Sequence, residues 1–396
     1  MSGQYLHIDG VFELHRRGDQ PTPRLLVVFS AANARNFTFY KSTSEMRPDV
    51  LYIRDPAGNA WYQEGLAEGE SLDDIEARIA SVAAAYREVW MLGSSMGGFA
   101  ALYFGCRLGA RRILALAPQI VVDGRFARGP RRATRVQTPD ISELVRGATR
   151  SLITIVFGSL DLIDAYNLSR LYPEGGDLPL HFRVLQYEGQ DHLLPIRLEA
   201  ECTLKTFFQS ILSHNTVPAT SLDLTEGPPL APGRRAVLEA YVERLLARDH
   251  EGAHRVVAAA VPDHPDWLPL RVLEVETALA AELPMAPYLD AAIALAAENG
   301  TAIDHAFLVA QIAETLGRDD LARDYLRRVF AIRTSHPPGR RMLARIEERA
   351  SPGPDGGPAP GPEAAPEPEG QPEDDAAFTA VEGSEPPPAP VSARRA

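Results

Sequence analysis

The residues most able to do chemistry lie in Gly93-Ser94-Ser95-Met96-Gly97. This pentapeptide follows an apolar run of strand length, Val89 to Leu92, and precedes a helical pattern that runs to about Gly109. A sharp strand-to-helix turn of this kind lifts the hydroxyl of its middle serine above the sheet edge. Gly93 and Gly97 let strand and helix approach without a clash. Ser95 is therefore the candidate nucleophile. Its hydroxyl needs a base within hydrogen-bond reach, and that base needs an orienting acid. Two later segments offer them. The strand expected at Leu152 to Phe157 runs into Gly158-Ser159-Leu160-Asp161, which makes Asp161 the candidate acid and Asp164 its alternative. The last expected strand runs into Glu188-Gly189-Gln190-Asp191-His192, which makes His192 the candidate base. Asp191 is a poor partner for His192, because adjacent side chains diverge. Taken alone, Asp161 reads equally well as a helix cap and His192 as a surface histidine. Together, each lies just past the carboxyl end of an expected strand, on one rim with Ser95, and that joint placement points to acyl chemistry.

An acyl-transfer site also needs two backbone N–H groups aimed at the developing oxyanion. The residue after the nucleophile, Met96, is one expected donor. The loop after the strand Arg24 to Ser30 reads Ser30-Ala31-Ala32-Asn33, and it supplies Ala31 as the other, with Ala32 as the alternative. Trp61 and Tyr62 follow the strand expected at Asp49 to Arg54 and so reach the same rim. They are candidates to line the substrate pocket and to stack on a sugar, although aromatic residues more often serve packing. Arg35 and Lys41 read as solvated loop charge. No residue pattern implies a metal or an organic cofactor.

The elements that position these residues follow from apolar patterning. Strands are expected near Gln4–Arg16, Arg24–Ser30, Asp49–Arg54, Val89–Leu92, Arg111–Ala117, Leu152–Phe157 and Leu180–Tyr187. Helices are expected over Ser71–Arg87, with Ser71 as N-cap, after the elbow, over Ala165–Leu171 and over Leu194–Leu212. The arginine-rich stretch Pro118–Arg150 reads as irregular cover over the sheet. Alternating strands and helices imply a parallel sheet with helices on both faces, so residues 1–214 form an α/β unit. Residues 215–233, rich in Pro, Thr and Gly, read as a linker. Residues 234–350 are helical throughout. Ala253, Ala286 and Ala322 open similar helices 33 and 36 residues apart, close to the tetratricopeptide period of about 34 residues. Stacked helix pairs of that kind usually offer a surface to a protein partner. Residues 351–396 are dominated by Pro, Gly, Ala and Glu and are expected to be disordered.

The chain has 396 residues, 45% of them hydrophobic, enough for a substantial core. Net charge is −13, about half of it from the acidic tail. There is no basic patch with interleaved aromatics, which argues against nucleic acid as a partner. No apolar run approaches the ~20 residues of a membrane span. The N-terminus lacks a secretory pattern, and the two cysteines, Cys106 and Cys202, have neither metal nor disulfide spacing. The expected location is the cytoplasm.

Over roughly residues 4–213 the chain resembles the α/β-hydrolase superfamily, through GSSMGG, GSLD and QDH. Serine, acid and histidine occur in the order that the superfamily uses. The phrases VVFSAANARNFTFYKS and RDPAGNAWYQEG look like a subgroup of short bacterial hydrolases. Some of these are associated with surface-polysaccharide or glycoprotein loci, acetyltransferase-like members among them. The resemblance implies a serine esterase acting on a carboxylic ester or similar acyl bond, of a small molecule or an acylated saccharide. The modest cover Pro118–Arg150 implies a shallow site, which favours short acyl groups. Two alternatives are an O-acyltransferase that passes an acetyl group to a saccharide, and an inactive hydrolase-fold scaffold that works through its helical repeats.

Overall fold

The computed structural model describes residues 10–122, 128–129, 136–172, 178–179, 181–298 and 303–350. The tail expected to be disordered, 351–396, lies outside the described residues, as do the first residues of the N-terminal strand and much of the arginine-rich stretch. Eight strands form one sheet: β1 (Phe12–His15), β2 (Arg24–Phe29), β3 (Asp49–Ile53), β4 (Glu88–Ser94), β5 (Arg112–Leu116), β6 (Leu152–Gly158), β7 (Phe182–Tyr187) and β8 (Leu224–Glu226), in the order β1-β3-β2-β4-β5-β6-β7-β8. β2 to β7 run parallel, and the edge strands β1 and β8 run antiparallel to their neighbours. The crossover helices are α1 (Tyr40–Thr43), α2 (Leu72–Ala83), α3 (Met96–Leu108), α4 (Ser142–Arg146), α5 (Leu162–Ser169), α6 (Leu194–Cys202) and α7 (Leu204–Gln209).

The period of two along each strand divides the core into faces. Leu25, Val27 and Phe29 of β2 pack with Ile75 and Ile79 of α2 and with Phe99 and Phe104 of α3. The intervening Leu26 and Val28 pack on the other side, with Leu198 of α6 and Phe207 and Phe208 of α7. Each such side chain contributes roughly 1.5–3 kcal/mol on burial, and covering both faces is what makes these strands continuous apolar runs. α2 begins as its sequence implies: Ser71 Oγ accepts from Asp74 N, and the Asp74 carboxylate accepts from Ser71 N, a reciprocal cap.

Two local expectations are corrected. The segment read as a linker, 215–233, carries β8, which pairs with β7 through Leu224–Glu226 and completes the sheet edge. All three of its residues are exposed, so it leaves no apolar pattern. The single helix expected over Leu194–Leu212 breaks at Thr203, whose φ of 54° ends α6. The Thr203 hydroxyl then caps α7 by accepting from Thr206 N.

Beyond the sheet come α8 (Pro232–Leu246), α9 (His250–Ala260), α10 (Leu268–Ala280), α11 (Ala286–Glu298), α12 (Ile303–Thr315), α13 (Asp319–Ile332) and α14 (Pro337–Ala350). Among the described residues, no helix is long and apolar enough to cross a membrane. Of the three alanines expected at equivalent places, Ala253 and Ala322 are buried in α9 and α13. Ala286 is exposed at the start of α11, and Leu289 takes the buried place one turn later. Leu238, Tyr241 and Val242 of α8, Ala253 and Val257 of α9, and Trp267, Leu270 and Leu273 join the α2–α3 side of the sheet in one continuous core. Helices α10 to α14 close a second core among themselves. Arg235 of α8 also donates to the carbonyls of Ser169 and Tyr172 at the end of α5.

Losing several of those shared side chains, at ~2–5 kcal/mol each, exceeds the ~5–15 kcal/mol of a typical domain. A chain ending at residue 229 is therefore expected to aggregate or to show no cooperative melt. A chain ending at Ala350 is expected to keep the melting temperature of the full protein, because the tail's composition provides no core. Thermal unfolding of the two truncated chains checks this, and equal melting temperatures would refute the shared core.

Candidate active site

Ser95 joins β4 to α3 with φ 52° and ψ −119°, a conformation that side chains other than glycine rarely adopt. The neighbouring backbone leaves little choice. A Cβ on Gly97 would lie 2.3 Å from the Phe29 carbonyl oxygen at the end of β2, so only glycine lets α3 start this close to β2. Ser95 N donates to Leu116 O at 2.9 Å, which pins the turn to β5. Ser95 is 4% exposed.

The loops after β6 and β7 are held together by their backbones. Leu160 N donates to Gln190 O at 2.8 Å, Ser159 N to Tyr187 O at 3.0 Å and Gly189 N to Ser159 Oγ at 2.9 Å. Gly158 has the Gln190 carbonyl oxygen 2.2 Å from where a Cβ would stand. The result is a continuous line of side chains. Ser95 Oγ lies 3.1 Å from His192 Nε2, and His192 Nδ1 lies 2.8 Å from Asp164 Oδ2.

Of the acids weighed from sequence, the structure brings Asp164 to His192, not Asp161. Asp161 is the N-cap of α5: its Oδ1 accepts from Asp164 N at 2.8 Å. That bond fixes the first turn of α5 and turns the Asp164 side chain toward His192. Both carboxylates share a partner that sequence reading did not single out. Arg128 Nη1 donates to Asp164 Oδ1 at 2.8 Å and Asp161 Oδ1 at 3.2 Å, while its Nη2 donates to Asp161 Oδ2 at 2.7 Å. Gln119 completes the set. Its Nε2 donates to Asp164 Oδ1 at 2.7 Å, and its Oε1 accepts from Arg128 N at 3.0 Å. Asp161, Asp164 and His192 have the mutual spacing of cation ligands, and the cation between the two carboxylates is the Arg128 guanidinium.

The charges follow from these contacts. Burial and Arg128 both push the His192 imidazole down, but Asp164 and Asp161 outweigh them and hold it above the ordinary histidine value. Burial works against ionisation of Asp161, yet Arg128 and His192 bring it below the usual carboxylate range. Burial, aided by Asp304 and Asp161, pushes Asp191 up to about 6.

The second expected oxyanion donor is also corrected. The Ala31 N–H donates to Thr38 Oγ1 at 3.0 Å, while Thr38 N donates to Ser30 Oγ at 3.1 Å. This closed pair occupies the Ala31 N–H. Among the described residues the Ala32 N–H has no acceptor, which leaves the alternative as the available donor. Met96 is the first residue of α3, so its N–H has no acceptor within the helix.

Trp61 and Tyr62 do not line an open pocket. They are 1% and 0% exposed. The loop folds them inward through left-handed backbone at both positions, φ 58° and 62°. Tyr62 Oη donates to Ser30 O at 2.9 Å, and Trp61 Nε1 donates to Asn59 Oδ1 at 2.9 Å. The Asp55 carboxylate anchors the same loop by accepting from Ala57 N and Ala60 N.

The helical layer reaches the site as well. Leu193, next to His192, packs against the second core. Glu276 of α10 and Asp304 of α12 are exposed, and both feel the charge of Asp161.

No family model and no curated protein matches the chain. The chain is similar to solved structures. One is the capsule O-acetyltransferase of Neisseria meningitidis serogroup A, at 20% identity over 42% of this chain and 78% of that one, TM-score 0.33. Others are fluorophosphonate-binding serine hydrolase F of Staphylococcus aureus, at 15% over 47% and 89%, TM-score 0.35, and the carboxylesterase CesB of Bacillus subtilis, at 10% over 51% and 87%, TM-score 0.36. The sheet region itself is a mostly parallel, eight-stranded α/β unit.

Proposed function

We propose that the protein is a serine hydrolase of short-chain carboxylic esters. The observation that carries this reading is the line from Ser95 through His192 to Asp164 at a strained strand-to-helix turn. Ser95 Oγ attacks the ester carbonyl carbon as His192 Nε2 takes its proton. Asp164 accepts from Nδ1–H, fixing the tautomer in which Nε2 is the base and stabilising the imidazolium that forms. The oxyanion is received by the N–H groups of Met96 and Ala32. His192 returns the proton to the leaving alkoxide, and the acyl group stays on Ser95. A water, deprotonated by His192, attacks that acyl-enzyme; collapse expels Ser95 Oγ, which regains the proton, and releases the acid. These steps need no cofactor.

The short-chain preference is supported by Asp191 beside His192, a poor neighbour for an extended acyl chain, which gains ~0.8 kcal/mol per CH₂ only where it meets apolar surface. A sugar-stacking role for Trp61 and Tyr62 is not part of this reading, since both rings are buried.

Ser95→Ala is expected to abolish fluorophosphonate labelling and nitrophenyl acetate hydrolysis. Asp164→Asn is expected to lower kcat by about 10³-fold or more through the wrong histidine tautomer. Equal labelling of Ser95→Ala, or modification mapped to Ser94, would overturn the assignment. Product partitioning with added saccharide acceptors tests hydrolysis itself. Acylated saccharide as the main product would replace the hydrolase reading with acyl transfer.

A further inference from the structure

We infer that Arg128 and Asp161 form a charge-balancing clamp on the triad acid, with Arg128 as a positioning residue that acts on His192 through Asp164. The inference rests on the triad reading above. Three observations carry it. The Arg128 guanidinium spans both carboxylates with three hydrogen bonds. Asp164 is fully buried, and Asp161 and Arg128 nearly so, with side-chain exposures of 0%, 8% and 17%. And the Arg128 backbone is tied to Gln119, whose side chain donates to the same Asp164 oxygen. Asp164 Oδ1 is thus occupied by Gln119 and Arg128, so Oδ2 alone is left for His192 Nδ1.

The charge count explains why two carboxylates are present. A lone Arg128 would cancel Asp164 and remove the anion that steadies the imidazolium. A lone Asp161 beside Asp164 would set two like charges side by side in a buried site and force a proton onto the pair. With both present, the clamp leaves one net negative charge facing His192. Among the described residues, the charged groups around His192 are Asp164 and Asp161 from the loop and first turn of α5, Arg128 from the stretch after β5, and Asp191 from its own loop. The exposed Glu276 and Asp304 of α10 and α12 add their charge to Asp161. Of these charged groups, and among the described residues, only Arg128 and Asp161 touch Asp164 without being its catalytic partner.

The test is the acid limb of kcat/KM for nitrophenyl acetate in four full-length proteins: parent, Arg128→Gln, Asp161→Asn and the double variant. His192 must be neutral to act as base. Arg128→Gln adds net negative charge near it and should move the limb up by about 0.5 pH unit or more. Asp161→Asn removes negative charge and should move it down by a similar amount. The double variant restores the parental charge and should return the limb to within about 0.3 unit of the parent. In each single variant kcat should fall more than KM changes. Arg128→Lys, which keeps the charge but not the fork, should keep the parental limb at reduced kcat. It also carries the test if Arg128→Gln does not fold. Shifts of the same sign, unmoved limbs in folded variants, a double variant further from the parent than either single, or a displaced limb in Arg128→Lys would overturn the clamp. If Ser95→Ala and His192→Ala keep activity, the triad reading fails instead, and the two failures are distinct.

Discussion

The structure turns on how closely two pairs of backbones approach at the carboxyl ends of the central strands. Ser95 is held with φ near 52° because α3 begins against the end of β2, and no Cβ fits at Gly97 between them. The loops after β6 and β7 meet just as closely at Gly158. Such contacts between rigid strands fix side-chain positions more firmly than loop packing does. Serine, histidine and aspartate from three separate segments therefore fall on one line without any single segment setting it.

The electrostatics follow from the same crowding. A buried carboxylate costs several kcal/mol unless its lone pairs are matched. Asp164 is matched by Gln119, Arg128 and His192 together, and Asp161 by Arg128 and the first turn of α5. The two carboxylates thus share a matched network, and a half-satisfied version would be worse than an apolar one.

Much of this was legible in sequence, for a definite reason. The apolar runs of β2 to β6 can only be strands covered on both faces, and the residues just past them must then share a rim. Serine and histidine could be placed from that alone. The choice between Asp161 and Asp164 could not, because both lie within one helical turn of the strand end. A signal was available: an aspartate three residues before another at the start of a helix is the capping position, which assigns Asp161 to the backbone and leaves Asp164 free. Arg128 had no such signal. It is one of several arginines in an irregular stretch, and nothing in the spacing distinguishes it. The Ala31 N–H is claimed by Thr38, seven residues on, a tertiary contact without a local pattern. Trp61 and Tyr62 lie in the loop after β3, as their spacing implies, but their side chains fold inward. Backbone direction depends on φ at those two residues, and bulky aromatics give no warning of a left-handed turn.

The helical layer bears on this chemistry in a way its repeat pattern did not suggest. A stack of helix pairs attached through a linker would leave the sheet untouched. Here β8, drawn from that supposed linker, closes the sheet, and α8 to α10 continue the sheet's own core. The loop bearing His192 is then seated between two cores: its backbone is bound to the β6 end, and Leu193 packs into the helices. The second core therefore bears on His192 through the neighbouring Leu193, and Glu276 and Asp304 on its surface add charge that acts on Asp161. The helical layer thus continues the packing around the base rather than standing beside the sheet as a separate module.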